Sequence, residues 1–222
     1  MRSMRTSHND APAVVPRLAV SVLMIRGDEI FIQNRSLTMD FAAGVVVFPG
    51  GRVDAVDHVT AVAHPAPAHL LANHARSWAA TSIASGRGPG SIEVSPAEAS
   101  GVLLAAAVRE VQEETGAVLA PEDLTPWANW ITPASYGKRF DTFFYLTVLA
   151  PTMDPRHQTT EADSSHWATA RWILAGAADG QLNLMRPTEA LLTELAGLPG
   201  RLAAALQPIL QAPRRISPVG RP

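Results

Sequence analysis

The sequence predicts a mixed α/β domain on three observations. Short β-prone runs crowd its beginning, one long helix with clear start and stop signals occupies its middle, and aromatic, β-branched runs followed by helical apolar spacing fill the remainder. Such an order fits α/β or α+β, and periodicity alone leaves both open. The 222 residues, 47% hydrophobic and 17% charged, suit one domain or at most two, and that much apolar surface excludes disorder of the whole chain.

Residues 17–25 and 29–34 are β-prone runs on either side of Gly27-Asp28, a hairpin signal. Residues 44–48 form a third run of strand length, stopped by Pro49-Gly50-Gly51. Beyond about His58 the chain changes character. Pro65, Pro67, Gly86, Gly88, Pro89 and Gly90 bracket a single helix-compatible stretch, 68–84, so residues 58–95 read as an insertion. Ser95-Pro96-Ala97-Glu98 then opens a helix, with Ser95 as N-cap, Pro96 at the first helical position and Glu98 completing a capping box. That helix runs to Thr115, and Gly116 supplies the left-handed residue that ends it. Residues 127–132 and 140–149 read as strands by their aromatic and β-branched content. Residues 188–196 and 201–207 carry helical apolar spacing. The ends, 1–16 and 212–222, read as frayed tails around one domain at 17–211.

Composition removes several function classes. The 18 Lys and Arg against 20 Asp and Glu give a net charge of -2 and no broad basic field, so nucleic-acid binding is not expected. The chain has no cysteine, which removes disulfides, zinc–thiolate sites and thiol nucleophiles and suits a reducing, cytoplasmic setting. Residues 1–16 lack the apolar core of a signal peptide. The longest apolar runs, 18–25 and 101–108, fall well short of the roughly 18–20 residues that a spanning helix needs, so no membrane role is expected.

The end of the central helix carries the chemistry. Residues three and four apart share a helix face, so Glu110, Glu113 and Glu114 converge while Leu104, Val108 and Val111 point elsewhere. Like charges repel there, and the negative end of the helix dipole adds to the penalty. A solvated acidic helix end paired to Arg109 is the ordinary account of such a run. A hard divalent cation such as Mg²⁺ or Mn²⁺, bound by carboxylate oxygens, would offset both penalties. The strand that ends in Phe48-Pro49-Gly50-Gly51 favours the cation, because two glycines let backbone come close to a metal or a phosphate.

In these residues the chain resembles the Nudix hydrolases. Gly51 matches the glycine that opens their signature, and Arg109, Glu110, Val111, Glu113, Glu114, Gly116 and Ala117 match its closing half in order. Asp57 stands where the family usually has Glu, and 51 residues rather than seven separate it from Arg109. That interruption resembles a subgroup of Nudix coenzyme A diphosphatases with a long insertion inside the box. Residues 47–54, 139–144, Glu161 before Trp167, and 184–188 agree with that resemblance, which spans about 17–196.

The resemblance implies a Nudix-type α/β/α sandwich with a mixed central sheet, a partly helical insertion and C-terminal helices. It also implies metal-dependent hydrolysis of a diphosphate in a small nucleotide. Coenzyme A or acyl-coenzyme A leads; ADP-ribose, NADH, dinucleotides or nucleotide sugars are the alternative. A catalytically silent nucleotide sensor is the alternative of another class, disfavoured by the intact glutamates. By match to the motif, Glu110 and Glu114 hold Mg²⁺ or Mn²⁺, with Glu113 direct or through water and a carbonyl of Gly50 or Gly51 adding an oxygen. Arg109 orients the glutamates. Glu161, or else a glutamate of the box, serves as general base.

Arg35, Arg52 and Arg139, near strand ends that flank the box, are candidate partners for substrate phosphates. A separate coenzyme A signature upstream of the box is not found before Gly51. His58, His64, His69 and His74 lack a recognised ligand spacing and read as surface residues. The five tryptophans read as packing residues before adenine-stacking ones. A homodimer is compatible with all of this.

Overall fold

The computed structural model describes residues 14–37, 43–85, 94–212 and 214–220. Alternation along β1 (Arg17–Arg26) sets the layering. Val20, Val22 and Met24 enter one core, whereas Leu23 and Ile25 enter another on the opposite face. β1 turns at Gly27, whose φ of 63° places it in the left-handed region, into β2 (Glu29–Arg35). β3 (Val46–Val47), β4 (Gly50–Arg52), β5 (Thr125–Ile131), β6 (Phe140–Val148), β7 (Ala162–Thr169) and β8 (Pro218–Val219) complete the sheet. Its order is β3-β2-β1-β6-β5-β8, with β4 added to β1 and β7 to β2. β1 and β6 run parallel, as do β5 and β8, while the other pairs are antiparallel. The sheet is therefore mixed, as the predicted sandwich requires.

One face is covered by α3 (Pro96–Thr115), whose Leu103, Leu104, Ala107 and Val111 are buried against β1 and β6 residues. Its ends form where the sequence places them. Ser95 Oγ accepts from the Glu98 amide at 3.2 Å, Glu98 returns a carboxylate to the Ser95 amide at 2.8 Å, and Gly116 closes the helix at φ 71°. The other face is covered by α4 (Ala170–Ala178), α5 (Arg186–Ala196) and α6 (Leu202–Leu210), which bury Ile173, Leu191, Leu195 and Leu206.

The insertion is part of the first core. Where the sequence suggests one helix there are two, α1 (Ala55–Ala63), which leads into the insertion, and α2 (Ala68–Ser77) within it. α1 is hidden in the sequence because its capping box is Asp54 with Asp57, shorter than the Ser-to-Glu form. Beyond α2, Trp78 is fully buried with its ring edge-on to Phe143 and Tyr145, at centroid distances of 5.1 and 5.6 Å. Ser82 donates to Asp141, which also accepts from Asn129 Nδ2. A row of side chains on alternate β6 positions, Asp141, Phe143 and Tyr145, thus receives the insertion. His74 is not a surface histidine: it is 3% exposed beside Tyr145, and burial lowers its pKa to about 4.

The C-terminal segment departs from the tail read in the sequence. Ile216 is buried, its amide donates to the Ser77 carbonyl, and Pro218–Val219 pair with β5. The apolar Ile216 and the open edge of β5 supply the reason, and neither is legible from proline and arginine content. Residues 1–13 lie outside the described part. No helix among the described residues is long and apolar enough to cross a membrane.

Candidate active site

Three pieces of backbone build the site: the last turns of α3, the β4 strand and the loop that enters β7. β4 pairs with β1 so that Gly51 lies opposite Val20 and Gly50 opposite Ser21. Gly50 has φ 154°, and a Cβ there would come within 2.6 Å of Ser21 Cα. At Gly51 a Cβ would stand 2.5 Å from Glu110 Cδ and 2.7 Å from its Oε2. The two glycines therefore let the sheet edge and the Glu110 carboxylate share one space.

Glu110 and Glu114 project to this spot from consecutive turns. Glu114 is 6% exposed, and one oxygen accepts from the Gly50 amide at 3.0 Å. Burial pushes its pKa up to about 8, against the Gly50 hydrogen bond, and the charges of Glu110 and Glu161 push the same way while Arg35 opposes them. Burial also raises Glu110, opposed by the adjacent Arg109. Two carboxyls on one face, both held above their ordinary range, form a site short of positive charge.

Arg109 sits behind the pair. Its guanidinium forks onto Asp57, with Nε to Oδ1 at 2.7 Å and an Nη to Oδ2 at 2.8 Å. The remaining Nη donates to Glu110 at 2.9 Å and to Glu113 at 3.1 Å, and the fork also reaches the Arg52 carbonyl. These contacts raise the Arg109 pKa, the Asp57 hydrogen bonds most. Asp57, 1% exposed, does two things at once: its Oδ2 accepts from the Asp54 amide, capping α1, and its carboxylate fixes Arg109. The junction of the insertion is thereby tied to the helix of glutamates. The Asp54-Asp57 spacing was the signal for this role.

The other candidates divide. Glu161 comes to the site, since its charge acts on Glu114 and its carboxylate lies 3.7 Å from Arg35. Glu113 is turned away to Arg109 and is 57% exposed. The Arg52 side chain is exposed. Arg139 is 5% exposed and donates to the carbonyls of Thr132 and Val14, so its guanidinium serves the strand ends. It stands four residues before Phe143, the residue level with Val20 and hence with Gly51.

Residues 97–192, which contain all of α3 beyond its first residue, match the family model of the NUDIX domain. Over that stretch the chain is similar to a Nudix domain. Among solved structures, a NUDIX hydrolase from Alicyclobacillus acidocaldarius is 24% identical, with a TM-score of 0.58 over 82% of this chain and 91% of that one. A MutT NUDIX hydrolase from Burkholderia pseudomallei is 18% identical, with a TM-score of 0.48 over 81% of this chain and 98% of that one. No curated protein matches the sequence. The chemistry that goes with a Nudix domain is hydrolysis of pyrophosphate bonds in small nucleotides, and Nudix hydrolases generally use divalent metals such as Mg²⁺ or Mn²⁺.

The residues of this site fit a cation in part. Among the described residues no three acidic or histidine side chains converge as a ready-made ligand set. Glu110 and Glu114 supply two carboxylates, both raised in pKa by burial, beside the Gly50–Gly51 backbone. Oxygen donors of this kind suit Mg²⁺ or Mn²⁺, ions that keep several waters and take one or two carboxylates from the protein. Glu113, engaged by Arg109, is the weakest of the three predicted ligands.

Proposed function

We propose that the protein is a metal-dependent diphosphatase acting on coenzyme A or acyl-coenzyme A, giving adenosine 3′,5′-bisphosphate and 4′-phosphopantetheine or its acyl form. The observation that carries the diphosphatase reading is the pair of half-buried Glu110 and buried Glu114, set against the glycine backbone, raised in pKa and joined by Glu161. Support for coenzyme A comes from the insertion inside the box and from the segments at 139–144 and 184–188. Asp141 and Phe143 of the first segment receive that insertion.

Glu110 and Glu114 would hold Mg²⁺ or Mn²⁺, which would supply positive charge against the diphosphate and acidify the attacking water. Arg109 keeps the Glu110 carboxylate aimed at the site, and Asp57 keeps Arg109 in place. Glu161 takes the proton as a water oxygen attacks one phosphorus, and the bond from that phosphorus to the bridging oxygen breaks. Arg35, beside Glu161 and Glu114, pairs with a phosphate of the substrate, and exposed Arg52 offers a second charge at the rim. We place the enzyme in the cytoplasm and leave room for a homodimer.

The test is incubation of the pure protein with coenzyme A, acyl-coenzyme A, NADH and ADP-ribose plus Mg²⁺ or Mn²⁺, with products identified by mass. Adenosine 3′,5′-bisphosphate from the coenzyme A substrates is the expected result. Turnover confined to ADP-ribose or NADH overturns the substrate, and no turnover of any nucleotide overturns the diphosphatase.

A further inference from the structure

We propose that Ser165 is a positioning residue that holds Glu161 at the glutamates by clasping the β6–β7 loop; the inference rests on the base role given to Glu161 above. Ser165 lies on β7 opposite Gln33 of β2. Its Oγ accepts from the His157 amide at 3.0 Å and lies 3.0 Å from His157 Nδ1. A hydroxyl has one hydrogen and two lone pairs, so one side chain serves both atoms of His157. The arc from 157 to 165 is closed by this clasp, and Glu161 stands at its centre.

Backbone bonds also anchor the arc, beside the Arg35–Glu161 pair. The Gln158 amide donates to the Glu114 carbonyl at 2.8 Å and the Arg156 amide to the Thr115 carbonyl at 3.0 Å. Those carbonyls belong to the last turn of α3, where a helix has no amides of its own left to offer. The Ser36 amide donates to the Glu161 carbonyl at 2.8 Å. His157, Gln158, Thr160 and Glu161 are exposed, so hydrogen bonds rather than apolar packing hold this stretch. Among those hydrogen bonds, the Ser165 clasp depends on a side chain that substitution can remove. Loss of the clasp frees the arc at one end and lets the Glu161 carboxylate, 54% exposed and only 3.7 Å from Arg35, leave its place near Glu114.

Ser164 provides a control. It points to the other sheet face, where its Oγ accepts from Asn34 Nδ2 at 2.8 Å. The experiment measures kcat and KM for Ser165→Ala, Ser165→Thr, Ser164→Ala, Glu161→Gln and the Ser165→Ala/Glu161→Gln pair, with coenzyme A and Mg²⁺ or whichever nucleotide of the panel above turns over fastest. Ser165→Ala should lower kcat about tenfold with KM within about twofold, Ser165→Thr should restore it, and Ser164→Ala should leave it unchanged. In the Glu161→Gln background, Ser165→Ala should cost nothing more, because the two act as one unit. Amide exchange over residues 156–161 should quicken in Ser165→Ala. Wild-type kcat in Ser165→Ala beside a crippled Glu161→Gln overturns the positioning role and leaves the base standing. An equal loss in both backgrounds, or unchanged exchange, also overturns the positioning role. Full turnover by Glu161→Gln removes the base, and the positioning role with it.

Discussion

Two buried carboxylates flank the Arg109–Glu110 step of the box helix, and they live under opposite conditions. Asp57, 1% exposed, faces a forked guanidinium on one side and the Asp54 amide on the other, so its charge is answered twice. Glu114, 6% exposed, receives one amide from Gly50 and faces the charges of Glu110 and Glu161, with Arg35 acting against them through space. Burial is nearly equal; compensation is not. An acid whose charge the fold satisfies holds the fold together, while one left short of positive charge is set up for a partner that arrives from outside.

Substitution separates the two. Glu114→Gln should cut turnover at least about a hundredfold, the top of the range seen for groups one step removed from a metal, while leaving stability unharmed because a strained charge is removed. Asp57→Ala should cost roughly 3 kcal/mol in urea unfolding, the lower end for a broken buried ion pair, since Glu110 and Glu113 still face Arg109. Equal unfolding losses from both changes would erase the distinction.

Glu114 also makes stability depend on pH. A carboxyl raised to about 8 in the folded chain and near 4.5 when unfolded binds more protons in the native state between those values. Its contribution to metal-free stability is therefore greatest below the unfolded value and declines as pH rises toward about 8. Melting temperature measured in chelator should fall across that window, and Glu114→Gln should flatten the fall. The smallest effect belongs to Glu113→Gln, which loses an exposed i,i+4 pair with Arg109 and should change stability by about 0.5 kcal/mol or less.

The box helix was legible because each of its signals is local: Ser95 and Glu98 at one end, Gly116 at the other, and glutamates at helical spacing between. What the sequence hides depends on partners distant along the chain. β7 carries Ser164, Ser165 and His166 and shows little strand character, yet it pairs with β2 over seven registered positions. α1 rests on an Asp–Asp cap, and Trp78 reveals its fully buried place only when Phe143 and Tyr145 are brought beside it. Arg139 illustrates the converse. Its position after a loop suggests a phosphate contact, but three-dimensional proximity assigns it to the carbonyls of Thr132 and Val14.

On the proposed reading, Glu110 and Glu114 form a cation site whose charge deficit the metal relieves. Calorimetric titration of Mn²⁺ into the wild-type chain and Glu114→Gln, at a pH near 7 where much of Glu114 is still protonated, tests it most directly. The wild type should bind with release of protons to the buffer, and Glu114→Gln should bind far more weakly without that release. Equal binding by the two proteins, or binding by the wild type with no proton released, would contradict the account.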